Sequence, residues 1–169
     1  MKTLYLVRHA KSDWADEDLT DIDRPLNKRG YRDAHFMSSL MKEKKLLPDL
    51  IITSPAIRAI TTALIFCRNF NFNYSDIVID PNLYETNLQH YKDRISKTDS
   101  RYKSIMLFGH NPIISDLANN LTKTFIENIA TCGIVGIRQS ENCKEWKCFN
   151  DMVGELIMYD FPKKHIEKN

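Results

Sequence analysis

Apolar residues along this chain come in short dense runs separated by longer amphipathic stretches. Leu4-Tyr5-Leu6-Val7, Leu50-Ile51-Ile52, Ile77-Val78-Ile79 and Ser104–Phe108 (SIMLF) are apolar almost without interruption. Runs of that length and density suit strands buried on both faces of a sheet. Ile134–Ile137 and Glu155–Tyr159 read as two closing strands. Between the runs the spacing changes to that of helices. Lys28–Lys44 places Tyr31, Ala34, Met37/Ser38 and Met41 on one face, with Asn27 as N-cap. Ala56–Asn69 carries Ile57, Ile60, Ala63/Leu64 and Cys67, with Ser54 as the predicted N-cap and Pro55 at the first helical position. Shorter helices are predicted over Asn87–Ser96 and Pro112–Leu121. This alternation predicts an α/β fold, a three-layer α/β/α sandwich with a mainly parallel sheet and the last strands antiparallel at an edge. The polar stretch Gln139–Asp151, which contains Trp146, reads as a hairpin in which Glu145–Phe149 adds to the ladder.

Two segments fall outside this pattern. Lys11–Asn27 is polar, rich in Asp and without periodicity, and long ordered loops in compact domains are often functional. Lys163–Asn169 is a charged tail. A length of 169 residues argues for one domain spanning 1–169 with a sizeable core. The net charge of +2 gives no broad electrostatic case for nucleic acid or a membrane. The chain opens directly on its first strand, and no apolar run approaches a membrane span, so a cytoplasmic location is expected. The four cysteines, Cys67, Cys132, Cys143 and Cys148, read as free, mostly buried thiols. Cys143 and Cys148 have no second pair or clustered histidines near them, so no metal or other cofactor is expected.

Candidate chemistry sits at the strand ends. The first strand ends in Arg8-His9, the second in Ser54-Pro55 with Arg58 one turn into the following helix, and the fourth in Gly109-His110-Asn111-Pro112. Each has an ordinary use as a surface pair, a helix cap or a tight turn. In a parallel sheet, however, all three would converge on one rim, where open α/β sheets bind their ligands. Two arginines, two histidines and helix N-termini around one volume make an environment for a phosphoryl group. One imidazole can be a nucleophile, kept neutral by nearby arginines, and a backbone carbonyl on its Nδ1 would free Nε2 to attack. The other can donate to the phosphoryl oxygens. Glu85, after the third strand, is the candidate to protonate the leaving group. His35, His90 and His165 lack such a context and read as surface residues.

These residues resemble a known family. Leu6-Val7-Arg8-His9-Ala10 with Ser12, Ser54-Pro55-x-x-Arg58-Ala59-x-x-Thr62-Ala63, and Phe108-Gly109-His110-Asn111-Pro112 are similar to three motifs of the histidine phosphatase superfamily, the phosphoglycerate-mutase-like fold. Trp14, Asp23-Arg24-Pro25-Leu26-Asn27-x-Arg29-Gly30, Leu83-Tyr84-Glu85 and Thr131-Cys132-Gly133 resemble its compact branch, the SixA-type phosphohistidine phosphatases, which lacks large lid insertions. The likeness runs from Thr3 to about Gly133 and in outline to Phe161. It implies that His9 is transiently phosphorylated, that Arg8, Arg58 and His110 form the phosphate pocket, and that Ser12 and Arg24 add substrate contacts. Many members carry glycine where this chain has Ala10, and alanine forbids the positive φ that glycine permits. Alanine is nevertheless common in the compact branch. The resemblance to that branch also implies little dependence on a general acid, in keeping with a labile phosphoramidate bond.

The leading expectation is therefore a phosphatase acting through a phosphohistidine on His9, without metal, on phosphohistidine in a partner protein. A short chain without a lid leaves an open pocket for such a substrate. A small phosphate ester, hydrolysed or transferred as in a mutase, is the alternative within the fold. A non-catalytic phosphate-binding module is the alternative outside enzymes, and the intact set of Arg8, His9, Arg58 and His110 argues against it.

Overall fold

The computed structural model describes residues 1–166, so the last three residues of the charged tail lie outside the described residues. The strands are β1 (Thr3–Arg8), β2 (Leu50–Thr53), β3 (Ile77–Ile79), β4 (Ser104–Gly109), β5 (Ile134–Arg138) and β6 (Glu155–Asp160). They form one sheet in the order β3-β2-β4-β1-β5-β6. The neighbours from β3 to β1 pair in parallel, whereas β5 is antiparallel to both β1 and β6. The sheet is thus mainly parallel with an antiparallel edge, as the sequence predicts.

Strand periodicity divides the apolar residues between two faces. Leu4, Leu6, Leu50, Ile52, Ile105 and Leu107 point into one cluster, with Ile114, Leu117, Trp146 and Phe149. Tyr5, Val7, Ile51, Met106 and Phe108 point into the other, with Met37, Met41, Phe66 and Phe70. Helices α1 (Lys28–Glu43) and α2 (Ile57–Phe70) pack side by side over the second cluster. Helices α3 (Leu88–Ser96), α4 (Ile113–Thr122) and the short α5 (Cys148–Asp151) cover the first. A last short helix, α6, spans Lys163–Ile166.

Some expectations need correction. Asn27 does cap α1, its side chain accepting from Gly30 N–H at 2.9 Å. Tyr31, however, is exposed, and the helix buries Gly30 and Asp33 beside Ala34, Met37, Ser38 and Met41. Ile57 and Leu64 of α2 are also exposed, because its buried face is rotated to Ala59, Ala63, Phe66, Cys67 and Phe70. Helix α2 starts at Ile57 with Ala56 as N-cap and no side-chain capping bond. Ser54 is therefore not the cap. Pro112 is itself the N-cap of α4. Strands β5 and β6 form the expected antiparallel pair, but Glu145–Phe149 does not join the ladder. Trp146 and Phe149, three residues apart, stack with ring centroids 5.3 Å apart beneath the sheet. That spacing belongs to a helical turn and not to a strand. His165 has partners as well: its Nε2 lies 2.8 Å from Asp160 Oδ1, and its ring packs edge-on against Phe36.

Candidate active site

Register builds the site. Arg8 on β1 pairs with Gly109 on the parallel neighbour β4, so the next residue on each strand is a histidine. The His9 N–H donates to Gly109 O at 3.1 Å, and the two imidazole centroids are 5.1 Å apart. On the other side of β4, Thr53 pairs with Phe108, and Ser54 N–H donates to Phe108 O at 3.1 Å. Ser54 therefore arrives next to His110, and its Oγ is 2.7 Å from His110 Nε2. Arg58 is the second residue of α2. The chain leaves β1 toward the face covered by α1 and leaves β4 toward the face covered by α4. That reversal is the topological switch point at which open α/β sheets bind ligands.

The protonation of His9 follows from its contacts. Its Nδ1 lies 2.7 Å from the Ala10 carbonyl oxygen, which can only accept. Nδ1 therefore carries the hydrogen, and Nε2 keeps a lone pair. Burial pushes the His9 pKa down to about 3 against the support of the Ala10 carbonyl, and His110, Arg58 and Arg8 press in the same direction as burial. Burial also leads for His110, pushed down to about 4, with Arg58 next. The cause differs from the expectation: desolvation is the main reason for the neutral rings, and the arginines reinforce it. Ala10 is fully buried and does not have a positive φ, so alanine there is unstrained.

Two polar atoms stand out. Among the described residues, Arg8 Nε and His110 Nδ1 are buried without a hydrogen-bond partner. Arg8 is otherwise held by its Nη1, which donates to Ile129 O at 2.7 Å. Such groups are costly to bury unpaired, and both flank His9. The arrangement can bind the oxygens of a tetrahedral anion against the His9 ring.

The Lys11–Asn27 loop borders the site, and its key residue, Asp21, had no distinguishing sequence signal. Arg58 Nη2 donates to Asp21 Oδ2 at 2.9 Å, Arg24 Nη1 to Asp21 Oδ1 at 2.8 Å, and the Tyr84 hydroxyl to Asp21 Oδ2 at 2.7 Å. These donors outweigh the desolvation that opposes them and hold the Asp21 carboxyl well below the usual carboxylate range. The expected contacts Ser12 and Arg24 are both buried and engage each other, Arg24 Nη2 donating to Ser12 Oγ. Arg24 Nε also donates to Asp13 O at 3.0 Å, and its guanidinium stacks on exposed Trp14, 3.1 Å from the ring centroid. Asp21, Arg58, Tyr84, Glu85 and His110 line a cavity of about 350 Å³. Glu85 stands exposed on its rim with φ 46°, a left-handed backbone. The structure thus brings Arg8, His9, Arg58 and His110 together, with Glu85 at the edge and Ser12 and Arg24 fastening the loop. Among the described residues, no group of three or more His, Cys, Asp or Glu side chains is arranged to hold a metal ion.

Paired histidines with Arg58 at the switch point of a three-layer α/β fold make a site suited to an oxyanion such as a phosphoryl group. Residues 4–112 match the model of the histidine phosphatase superfamily (branch 1), and the chain belongs to that family. A chloroplastic protein of Arabidopsis thaliana is 31% identical over 78% of this chain and 63% of its own length. Phosphoglycerate mutase 1 of Saccharomyces cerevisiae is 42% identical over 37% of this chain and 26% of its own. The chain thus spans less than two thirds of the length of these relatives. Among solved structures, the SixA protein of Agrobacterium tumefaciens, a candidate phosphohistidine phosphatase, superposes with a TM-score of 0.81 at 28% identity. That superposition covers 95% of this chain and 98% of the other. A protein histidine phosphatase SixA complexed with tungstate gives the same TM-score at 18% identity, over 96% of this chain and 98% of the other.

Proposed function

We propose that this chain is a metal-independent phosphatase that hydrolyses a phosphoryl group through a covalent phosphohistidine on His9. The observation that carries this reading is the His9 tautomer: Nδ1 tied to the Ala10 carbonyl at 2.7 Å, Nε2 free, and a ring that stays neutral. The Nε2 lone pair attacks phosphorus, the bond to the leaving group breaks with its electron pair, and a proton from Glu85 or water completes the leaving group. Water then attacks the phosphohistidine, the P–N bond breaks back to neutral His9, and inorganic phosphate departs. Arg8, Arg58 and His110 stabilise the equatorial oxygens in both steps. The cationic lining suits an anion better than a metal ion.

The substrate we favour is a phosphohistidine side chain of a partner protein. Tyr84, Asp21 and Glu85 line the cavity together with Arg58 and His110. The Glu85 carboxylate is exposed there, so a small polyanion in the cavity would meet its negative charge. The surrounding loop adds Asp13, Asp16, Glu17, Asp18 and Asp23. A phosphoryl group carried on a neutral or basic protein segment meets less repulsion there than a bisphosphate does. The relatives that are phosphoglycerate mutases keep transfer to a small ester as the second reading. Four free cysteines are consistent with a reducing compartment such as the cytoplasm. Among the described residues, no helix is long and apolar enough to cross a membrane.

The test compares hydrolysis of a phosphohistidine protein with that of a stable phosphomonoester, with and without chelator. Activity should persist in chelator and vanish in His9→Ala. Glu85→Gln should slow the ester strongly and phosphohistidine little. Full activity in His9→Ala would refute the assignment of the nucleophile.

A further inference from the structure

Ser54 carries a buried hydroxyl that the chemistry proposed above does not use. Its side chain is fully buried at the end of β2, and its Oγ lies 2.7 Å from His110 Nε2. A serine followed by proline before a helix would ordinarily cap that helix, yet α2 has no side-chain capping bond. The nearest approach to a cap is Ala56 N–H, which donates to Ser54 Oγ at 3.4 Å. The neighbouring Thr53 hydroxyl turns to the Ser54 carbonyl and not to the ring.

We propose that Ser54 is a positioning residue that fixes the single proton of neutral His110 on Nδ1, making that nitrogen a donor toward the phosphoryl group. The assignment rests on the phosphatase reading above and extends it to the hydrogen-bond polarity of the second histidine. A serine hydroxyl has one proton to donate. Among the described residues, the acceptor within its reach is His110 Nε2, because the other polar contact of Oγ is a backbone donor. If Nε2 accepts, it carries no hydrogen, and a neutral imidazole must then carry it on Nδ1. Nδ1 is the buried atom without a partner, on a ring 5.1 Å from that of His9. An anionic oxygen there completes it. The opposite tautomer would place a lone pair against the same oxygen.

The two histidines are therefore protonated on the same nitrogen but present opposite faces to the substrate. His9 has its N–H tied back to a carbonyl and offers a lone pair. His110 has its lone pair tied back to a hydroxyl and offers an N–H. Arg58 supplies charge without this directionality requirement, since a guanidinium donates from every nitrogen.

The test reads the tautomer directly, using protein labelled with 15N-histidine and two-bond proton–nitrogen correlation spectra near pH 7. His110→Gln identifies the His110 signals. The wild-type chain should show His110 protonated on Nδ1. Ser54→Ala should shift it toward the Nε2-protonated form and weaken binding of inorganic phosphate roughly tenfold, the effect of one hydrogen bond to a charged group. Ser54→Thr, which keeps the hydroxyl, should restore the Nδ1 pattern. A wild-type His110 protonated on Nε2 would overturn the proposal, as would a Ser54→Ala protein with unchanged tautomer and phosphate affinity. The resting-state spectrum needs no turnover. A correct tautomer with no hydrolysis would therefore leave the Ser54 assignment standing and remove the phosphatase reading.

Discussion

Gly30 provides a test of how the loop is held to the fold. It is the third residue of α1 and is buried. On helix propensity alone, alanine there would gain up to about 1 kcal/mol. The structure reverses the sign. A Cβ on Gly30 would lie 2.1 Å from Lys11 O and 3.1 Å from Lys11 C and N, all backbone atoms. Restoring ordinary contact requires Lys11 to retreat by more than an ångström, although its carbonyl is held by Asn27 N–H at 3.0 Å. Lys11 follows Ala10, whose carbonyl fixes the His9 tautomer. Overpacking of this kind costs about 1–3 kcal/mol. A clash of more than an ångström against backbone lies at the upper end of that range, so, less a propensity gain of up to about 1 kcal/mol, Gly30→Ala should lose about 2 kcal/mol, a Tm lower by roughly 4–8 °C at this chain length. The rate at which His9 is phosphorylated should also fall. Thermal unfolding and single-turnover kinetics measure both. An unchanged or higher Tm with wild-type kinetics would refute the claim that the α1 start and the strand β1 exit are in direct contact.

Other expectations concern charge and packing. Proton NMR titration should find His9 and His110 still neutral at about pH 5, since burial holds them at about 3 and about 4. Because these values lie below 6.5 in the folded chain, the unfolded chain takes up protons first, and stability should fall as pH drops through 6.5 toward 3; a midpoint for His9 above 6 would contradict this. Arg58→Lys removes the fork that reaches Asp21, so kcat/KM should fall roughly 10- to 100-fold, with circular dichroism and Tm nearly unchanged; a large drop in Tm instead would make Arg58 a structural residue. Trp146→Ala should cost about 3–5 kcal/mol in urea unfolding, because Trp146 is 1% exposed and its Nε1–H donates to Tyr102 O at 3.1 Å. A loss under about 1 kcal/mol would mean that the segment around it is not anchored.

The central strands β1, β2 and β4 were legible because both faces of the sheet are covered there, so each appears as a continuous apolar run. The convergence of Arg8, His9, Arg58 and His110 was legible for the same reason, since a parallel sheet sends its strand ends to one rim. Ser54 was misread because a serine before a helix has two uses, and only the register of β2 against β4 decides between them. Asp21 was missed because it is one acid among many in a polar loop. Its role appears only when Arg58 and Tyr84, far apart in sequence, reach it. The Gln139–Asp151 segment was misassigned because a four-residue helix is too short to show a period. The Trp146–Phe149 spacing was the signal available there.

If His9 carries the phosphoryl group during turnover, the phosphorylated protein can be trapped. Protein mixed with radiolabelled phosphorylated substrate and quenched in alkali within one turnover should hold up to one acid-labile, alkali-stable phosphate per chain, mapped by peptide analysis to His9 Nε2. Label that is absent while hydrolysis proceeds, or that maps to another residue, would contradict the account.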